Sequence, residues 1–308
     1  MMRASDLLTL APLLERSLGA VLYNPLHSEN VHGVNFLEPK GEEALIRHDS
    51  ISWRIFKNPV ALFVGGVAAV LLELAEPRVR TAVWEQSHFR SKALQRIRRT
   101  GLAALTTVYA PRSAAAEMIS HIVRIHGNIR GTTPAGRPYC ANDPELLTWV
   151  HATATFSFFQ AYSQYVCPLQ DGDMDSFCCE GLIAAGLYGA INAPASHQDM
   201  QALFQVMQDN LEPSPILSDF LKIVKSTPIL PSILHPLLGM LVRAAVTLLP
   251  REIRQRLKLA DGSGLMSLEV GLVKKLGRIS DRTLIQSNPA VQACIRLGLP
   301  NGYLYQQR

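Results

Sequence analysis

Thirteen apolar residues run without interruption from Val60 to Leu72 and stop at Glu73. A membrane-spanning helix needs about 20 such residues, and a surface helix would interleave polar ones. The run therefore predicts a helix buried at the centre of a large core, and the rest of the chain must pack around it. Asn58-Pro59 marks its start, with Asn58 as the cap and Pro59 at the first helical position, where a missing N–H costs nothing. Glu76-Pro77 ends this helix or opens the next. Gly65-Gly66 sits in the middle, at a cost of about 1 kcal/mol each relative to Ala. Two glycines there imply that something packs directly on the backbone, and a second helix or a flat macrocycle would both do.

Only 18% of the 308 residues are charged, against about 25% in ordinary soluble proteins. That favours a large core, an apolar ligand cavity or contact with a membrane surface. The net charge is +5, with arginines dense between Arg78 and Arg137. They sit singly among apolar residues rather than in a basic run with interleaved aromatics, so nucleic acid is not an expected partner. Five cysteines at irregular spacing, with no C-x-x-C, support neither a zinc site nor a disulfide framework. They point to a reducing, cytoplasmic setting. Asp6, Glu15 and Arg16 break any signal-peptide core near the N-terminus, and residues 1–24 read as an amphipathic helix. The apolar stretch at 228–250 contains His235, Arg243 and four prolines. It reads as a buried helix over about 236–249, and it also admits a peripheral membrane contact.

The chemistry-bearing residues fall between Glu85 and Tyr165. Glu85-x-x-His88 has the spacing that carboxylate-bridged di-iron bundles use, but no second such pair exists. Residues 91–109 predict a helix with the stripe Leu94, Ile97, Gly101, Ala104, Leu105 and Val108. Arg96 and Thr100, one turn apart, lie at its edge, and Arg99 projects from an adjacent face. A buried guanidinium must find an anion. Either a ligand carboxylate or one from elsewhere in the fold would serve. The next helix is predicted to be capped by Ser113 and to run to Arg130, with Gly131 just past its end. His126 falls inside its apolar stripe. A histidine there is ordinarily a satisfied core residue, yet a proximal haem ligand looks the same. Asn142-Asp143-Pro144-Glu145 is a strong helix start. That helix turns His151 toward an apolar wall, as plain core or as a polar group beside a ligand.

Further on, residues 168–180 read as an acidic connector. Helices follow at 181–190, 196–210 and 250–260, with one more at 265–277. No convincing β-alternation is found. The fold class predicted is all-α, a single large helical domain of nine to twelve helices. Residues 1–50 form a helix and arm, 51–260 the catalytic domain, and 261–308 a C-terminal helix and tail packed on the core. Dinucleotide, P-loop, serine-hydrolase and H-E-x-x-H motifs are absent, as is C-x-x-C-H, so any haem would be held non-covalently.

Three blocks in order, "NPVALFVGGVAAVLLELAEP", "SHFRSKALQRIRRT" and "RIHGNIRGTTPAGRPYCANDPELLTWVHAT", are similar to the bacterial branch of a family. That family includes rubber oxygenase and the fungal ER-bound oxygenase of mycophenolic acid biosynthesis. The resemblance covers about residues 51–169 well and the remainder loosely. It implies a globin-like core with haem b, and oxidative cleavage of carbon–carbon double bonds in isoprenoid-like substrates. By it, His126 matches the proximal iron ligand, and Arg96 and Thr100 match an Arg-x-x-Lys/Arg-Thr motif of the haem pocket. Arg99 stands where rubber oxygenases have a lysine able to approach the iron. Arginine stays protonated and cannot ligate, so the lysine-capped state is not expected here. For the family's acid/base glutamate, Glu85 is the nearest candidate.

The leading expectation is therefore a haem b-dependent oxygenase, using O2 on a hydrophobic, olefinic small molecule. In it His126 holds the iron, while Arg96, Arg99, Thr100 and His151 line the pocket. A non-catalytic haem or lipophile carrier or sensor is the alternative, and a metal-free helical enzyme acting at a membrane surface is a third reading. The sequence does not define the oligomeric state.

Overall fold

The structure is a computed structural model and describes residues 34–86, 92–230, 234–259 and 264–306. The helix expected at 1–24 and His88 of the Glu85 pair lie outside the described residues. The chain is about 69% helical, with fourteen α-helices and one two-stranded hairpin among the described residues. The all-α prediction holds. The helices exceed the nine to twelve expected because several are only one or two turns long, below what periodicity can detect.

In chain order the first helices are α1 Ile51–Phe56, α2 Pro59–Ala75, α3 Pro77–Gln86, α4 Ala93–Tyr109 and α5 Arg112–His126. A hairpin of β1 Arg130–Thr132 and antiparallel β2 Pro138–Cys140 follows, with Gly131 opposite Tyr139. Then come α6 Pro144–Tyr165, α7 Asp171–Tyr188, α8 His197–Met207, α9 Pro215–Ser226 and α10 His235–Leu248. The last four are α11 Arg251–Arg256, α12 Ser267–Arg282, α13 Pro289–Arg296 and α14 Tyr303–Gln306.

The apolar run is α2, and it is the central helix. Asn58 Oδ1 accepts from the N–H of Val60 and Ala61, so the cap is as predicted. Helix α6 crosses it at Gly65, where a Cβ would stand 2.6 Å from Phe158 Cδ1 and 2.9 Å from Phe158 Cα. A second helix is thus what requires this glycine. Trp149 Nε1 donates to the Leu72 carbonyl further along the same crossing. Asp143 caps α6 as expected, accepting from the N–H of Glu145. Helix α10, expected at 236–249, has nine of its fourteen residues buried. No single helix among the described residues is long and apolar enough to cross a membrane.

Three sequence expectations are corrected. Ser113 does not cap α5. The helix begins at Arg112, and the Glu42 carboxylate, 71 residues earlier, accepts from both the N–H and the hydroxyl of Ser113. An acid at a helix start serves the free N–H groups as well as a local cap would. Helix α5 ends at His126 rather than Arg130, because residues 130–132 are drawn into the hairpin and Gly127 becomes the C-cap. The connector at 168–180 is mostly helical and forms the first half of α7. It buries Met174, Phe177 and Cys178 on its inner side.

Buried polar clips fasten the C-terminal region to the core. Lys57 Nζ reaches the Asp281 carbonyl at 2.7 Å and its carboxylate at 3.1 Å. Tyr162 donates to the same carboxylate, and Asn58 Nδ2 donates to the Gly277 carbonyl. Arg296 is 2% exposed and donates to the carbonyls of Phe36, Glu42 and Tyr109. Burial pushes its pKa down to about 10, which leaves it charged at neutrality.

Candidate functional site

Helix α2 is sealed except along one line. Gly66, Val70 and Glu73 are its only partly exposed residues, and their spacing of four and three places them on one face. Helix α6 opens in the same way at Leu147, Val150, His151 and Ala154. A Cβ on Gly66 would meet only Phe158 Cε1, at 4.0 Å, so this glycine, unlike Gly65, borders open space. We read the two lines, on helices packed against each other, as walls of one cleft beside the central helix.

Glu73 is the one ionisable residue of α2, and burial pushes its carboxyl up to about 7 against the pull of the Arg96 charge. Burial lowers the pKa of Arg96 itself, Glu73 opposes that shift, and Arg99 adds to it. Arg96 nonetheless keeps open surface. Its side chain is thus desolvated by surrounding protein on one side and exposed on the other. Among the described residues no carboxylate lies within ion-pair distance of it, so its attraction to Glu73 acts across a gap.

His126, the last residue of α5, lies in the same electrostatic neighbourhood. Burial lowers its pKa, and the Arg96 charge lowers it further. The imidazole is therefore neutral at neutral pH. Its Nδ1 is buried and makes no hydrogen bond. A carboxyl that titrates near neutrality and a neutral imidazole, far apart in the chain, thus both lie within electrostatic reach of one guanidinium.

The other predicted residues are distributed around this group. Arg99 acts on Arg96 from three positions further along α4, and both Arg99 and Thr100 are exposed. His151 is held apart. Its ring lies against the backbone of Gly181 on α7, where a Cβ would stand 3.1 Å from Cε1, and Nε2 is 3.4 Å from Thr155 Oγ1. Burial alone lowers its pKa, to about 4, and no cationic neighbour contributes. Glu85, the expected acid/base candidate, is exposed. Glu73 was not anticipated as a functional residue. Its signal was present, since a carboxylate closing a thirteen-residue apolar run on a core helix has nowhere wet to go.

The donor set suits a haem. A neutral imidazole is the form that binds iron. Arg96, with no protein carboxylate at ion-pair distance, offers a partner for a propionate. Among the described residues no cluster of three His, Cys, Asp or Glu could hold a metal ion.

Comparison with known proteins gives one result. Residues 53–269 match the family described as "ER-bound oxygenase mpaB/B'/Rubber oxygenase, catalytic domain". Neither the curated proteins nor the solved structures contain a match to this chain.

Proposed function

Since the chain belongs to the oxygenase family of the ER-bound mpaB/B' oxygenases and rubber oxygenase, we propose that it is a haem b-dependent oxygenase acting with O2 on a hydrophobic, olefinic small molecule. The observation that carries the haem reading is His126, a half-buried imidazole with a buried, unpaired Nδ1, kept neutral by burial and by the nearby Arg96 charge. Haem, when bound, supplies the activation of O2. The chain's own residues supply the rest. His126, the last residue of α5, would hold the iron through a ring nitrogen. Arg96 stabilises a carboxylate or a developing negative charge.

The Glu73 carboxyl holds a proton near neutral pH and can release or take one at its Oε atoms. Thr100, one turn from Arg96, offers a hydroxyl, and Arg99 keeps a fixed positive charge. Gly66, Val70, Val150 and Ala154 give the cleft an apolar lining that excludes water from the substrate.

The test is the absorption spectrum of protein expressed with haem supply, together with its pyridine haemochrome. A stoichiometric Soret band is expected, and it should vanish in His126→Ala. No Soret band after reconstitution with hemin, or an unchanged band in the variant, refutes the assignment. A Soret band without turnover of any olefin under O2 would instead favour a haem carrier or sensor.

A further inference from the structure

We propose that the outer face of α7 and the turn after it dock this protein on an anionic lipid surface. Helix α7 has two unlike sides. Its inner side buries Met174, Phe177, Cys178, Ala184 and Ala185 and meets His151 through Gly181. Its outer side exposes Ile183 at 56% and Leu187 at 44%, and Ile191 just beyond the helix is exposed at 71%. Scattered exposed apolar residues are ordinary, but Ile183 and Leu187 lie one turn apart on the helix and Ile191 follows in the turn just beyond it.

From Gly181 to Ser196 there is no Asp, Glu, Lys, Arg or His. Helix α8 packs beside α7 and adds Val206, exposed at 71%. The acidic groups nearest this region already serve backbone N–H groups: Asp175 accepts from His197 and Asp199 from Ala195. Helix α5, also packed on α7, exposes Arg112, His121, Arg124 and Ile125, along with Glu117.

An uncharged apolar ridge on a helix packed against one that exposes arginines, in a chain of net charge +5, complements apolar acyl chains beneath anionic headgroups. The stretch 228–250, read as a buried helix that also admitted a membrane contact, contributes α10 with nine of its fourteen residues buried. The docking stands on these side chains alone. Its use rests on the proposed function: α7 would have lipid on one side and the substrate cleft on the other, so a lipophilic substrate need not cross water.

Co-sedimentation of the whole protein with vesicles tests this, using phosphatidylcholine with and without phosphatidylglycerol. Binding to the anionic vesicles is expected, weakening with salt. The double variant I183D/I191D should lower the partition roughly tenfold or more. Both sites are exposed, so folding should be kept, which circular dichroism checks. The proposal is overturned if wild-type protein stays in the supernatant with both vesicle types, or if the double variant binds as well as wild type. It is also overturned if the ridge proves to be a protein interface, with a wild-type dimer that the variant splits and no vesicle binding. Vesicle binding needs no haem, so a missing Soret band would leave this result unaffected.

Discussion

Glu73→Gln separates a buried titrating carboxyl from an inert polar residue. Folding raises the Glu73 pKa from 4.5 to about 7. Between those values the folded protein binds a proton that the unfolded chain has released, so stability falls as pH rises. At about 1.4 kcal/mol per unit, a shift of about 2.5 units means that this group costs about 3 kcal/mol once pH passes the folded value. Below pH 4.5 it costs nothing, because both states are protonated. Glutamine cannot titrate.

The difference between variant and wild-type unfolding free energies should therefore widen in favour of the variant by about 3 kcal/mol from acid to pH 8. Burying the amide adds a constant offset without changing that slope. Urea unfolding of hemin-free protein across this range is the assay, and the remaining ionisable groups largely cancel in the difference. Parallel pH profiles for the two proteins would show that Glu73 is solvated and that the cleft reading is wrong.

Other outcomes follow from the same geometry. Arg96→Gln removes the charge that helps lower the His126 pKa; NMR titration of hemin-free protein should show His126 moving toward the ordinary histidine value, and no movement would place the two residues apart. His151 should stay neutral down to about pH 4 in the same titration, and protonation near pH 6.5 would mean that its site is open to water. Gly65→Ala drives a methyl into the Phe158 backbone and should cost about 1–3 kcal/mol in denaturant unfolding, whereas Gly66→Ala, which borders space, should be nearly neutral for stability. Equal costs would remove the distinction drawn between the two glycines.

Much of the scaffold was legible in the residues because it rests on local signals. Asn58-Pro59 and Asp143-Pro144 carry their caps within three positions, and each opens the helix expected. Ser113 shows where such reasoning fails. It has the right chemistry, but a carboxylate 71 residues away takes the place a local cap would fill. The acidic stretch 171–180 hid a helix because its buried Met174, Phe177 and Cys178 are sparse among polar residues. At the site, His126 and Arg96 were found by their place in or beside apolar stripes. Glu73 was taken only as the end of a run, since nothing local reveals that Arg96 arrives opposite it. His151 was grouped with them by its apolar wall, although the wall it meets is α7.

Helix α5 carries His126 at one end, and its other end is set from outside the matched segment of 53–269. The Glu42 carboxylate grips its first turn, and the Glu42 carbonyl is held by Arg296 of α13. A residue of the N-terminal arm and one of the C-terminal helix thus act together as a clamp on the helix that carries His126. Trimming the chain to its family-defining span would keep every candidate site residue and release the clamp that positions one of them. The smallest working unit is longer than the recognisable one.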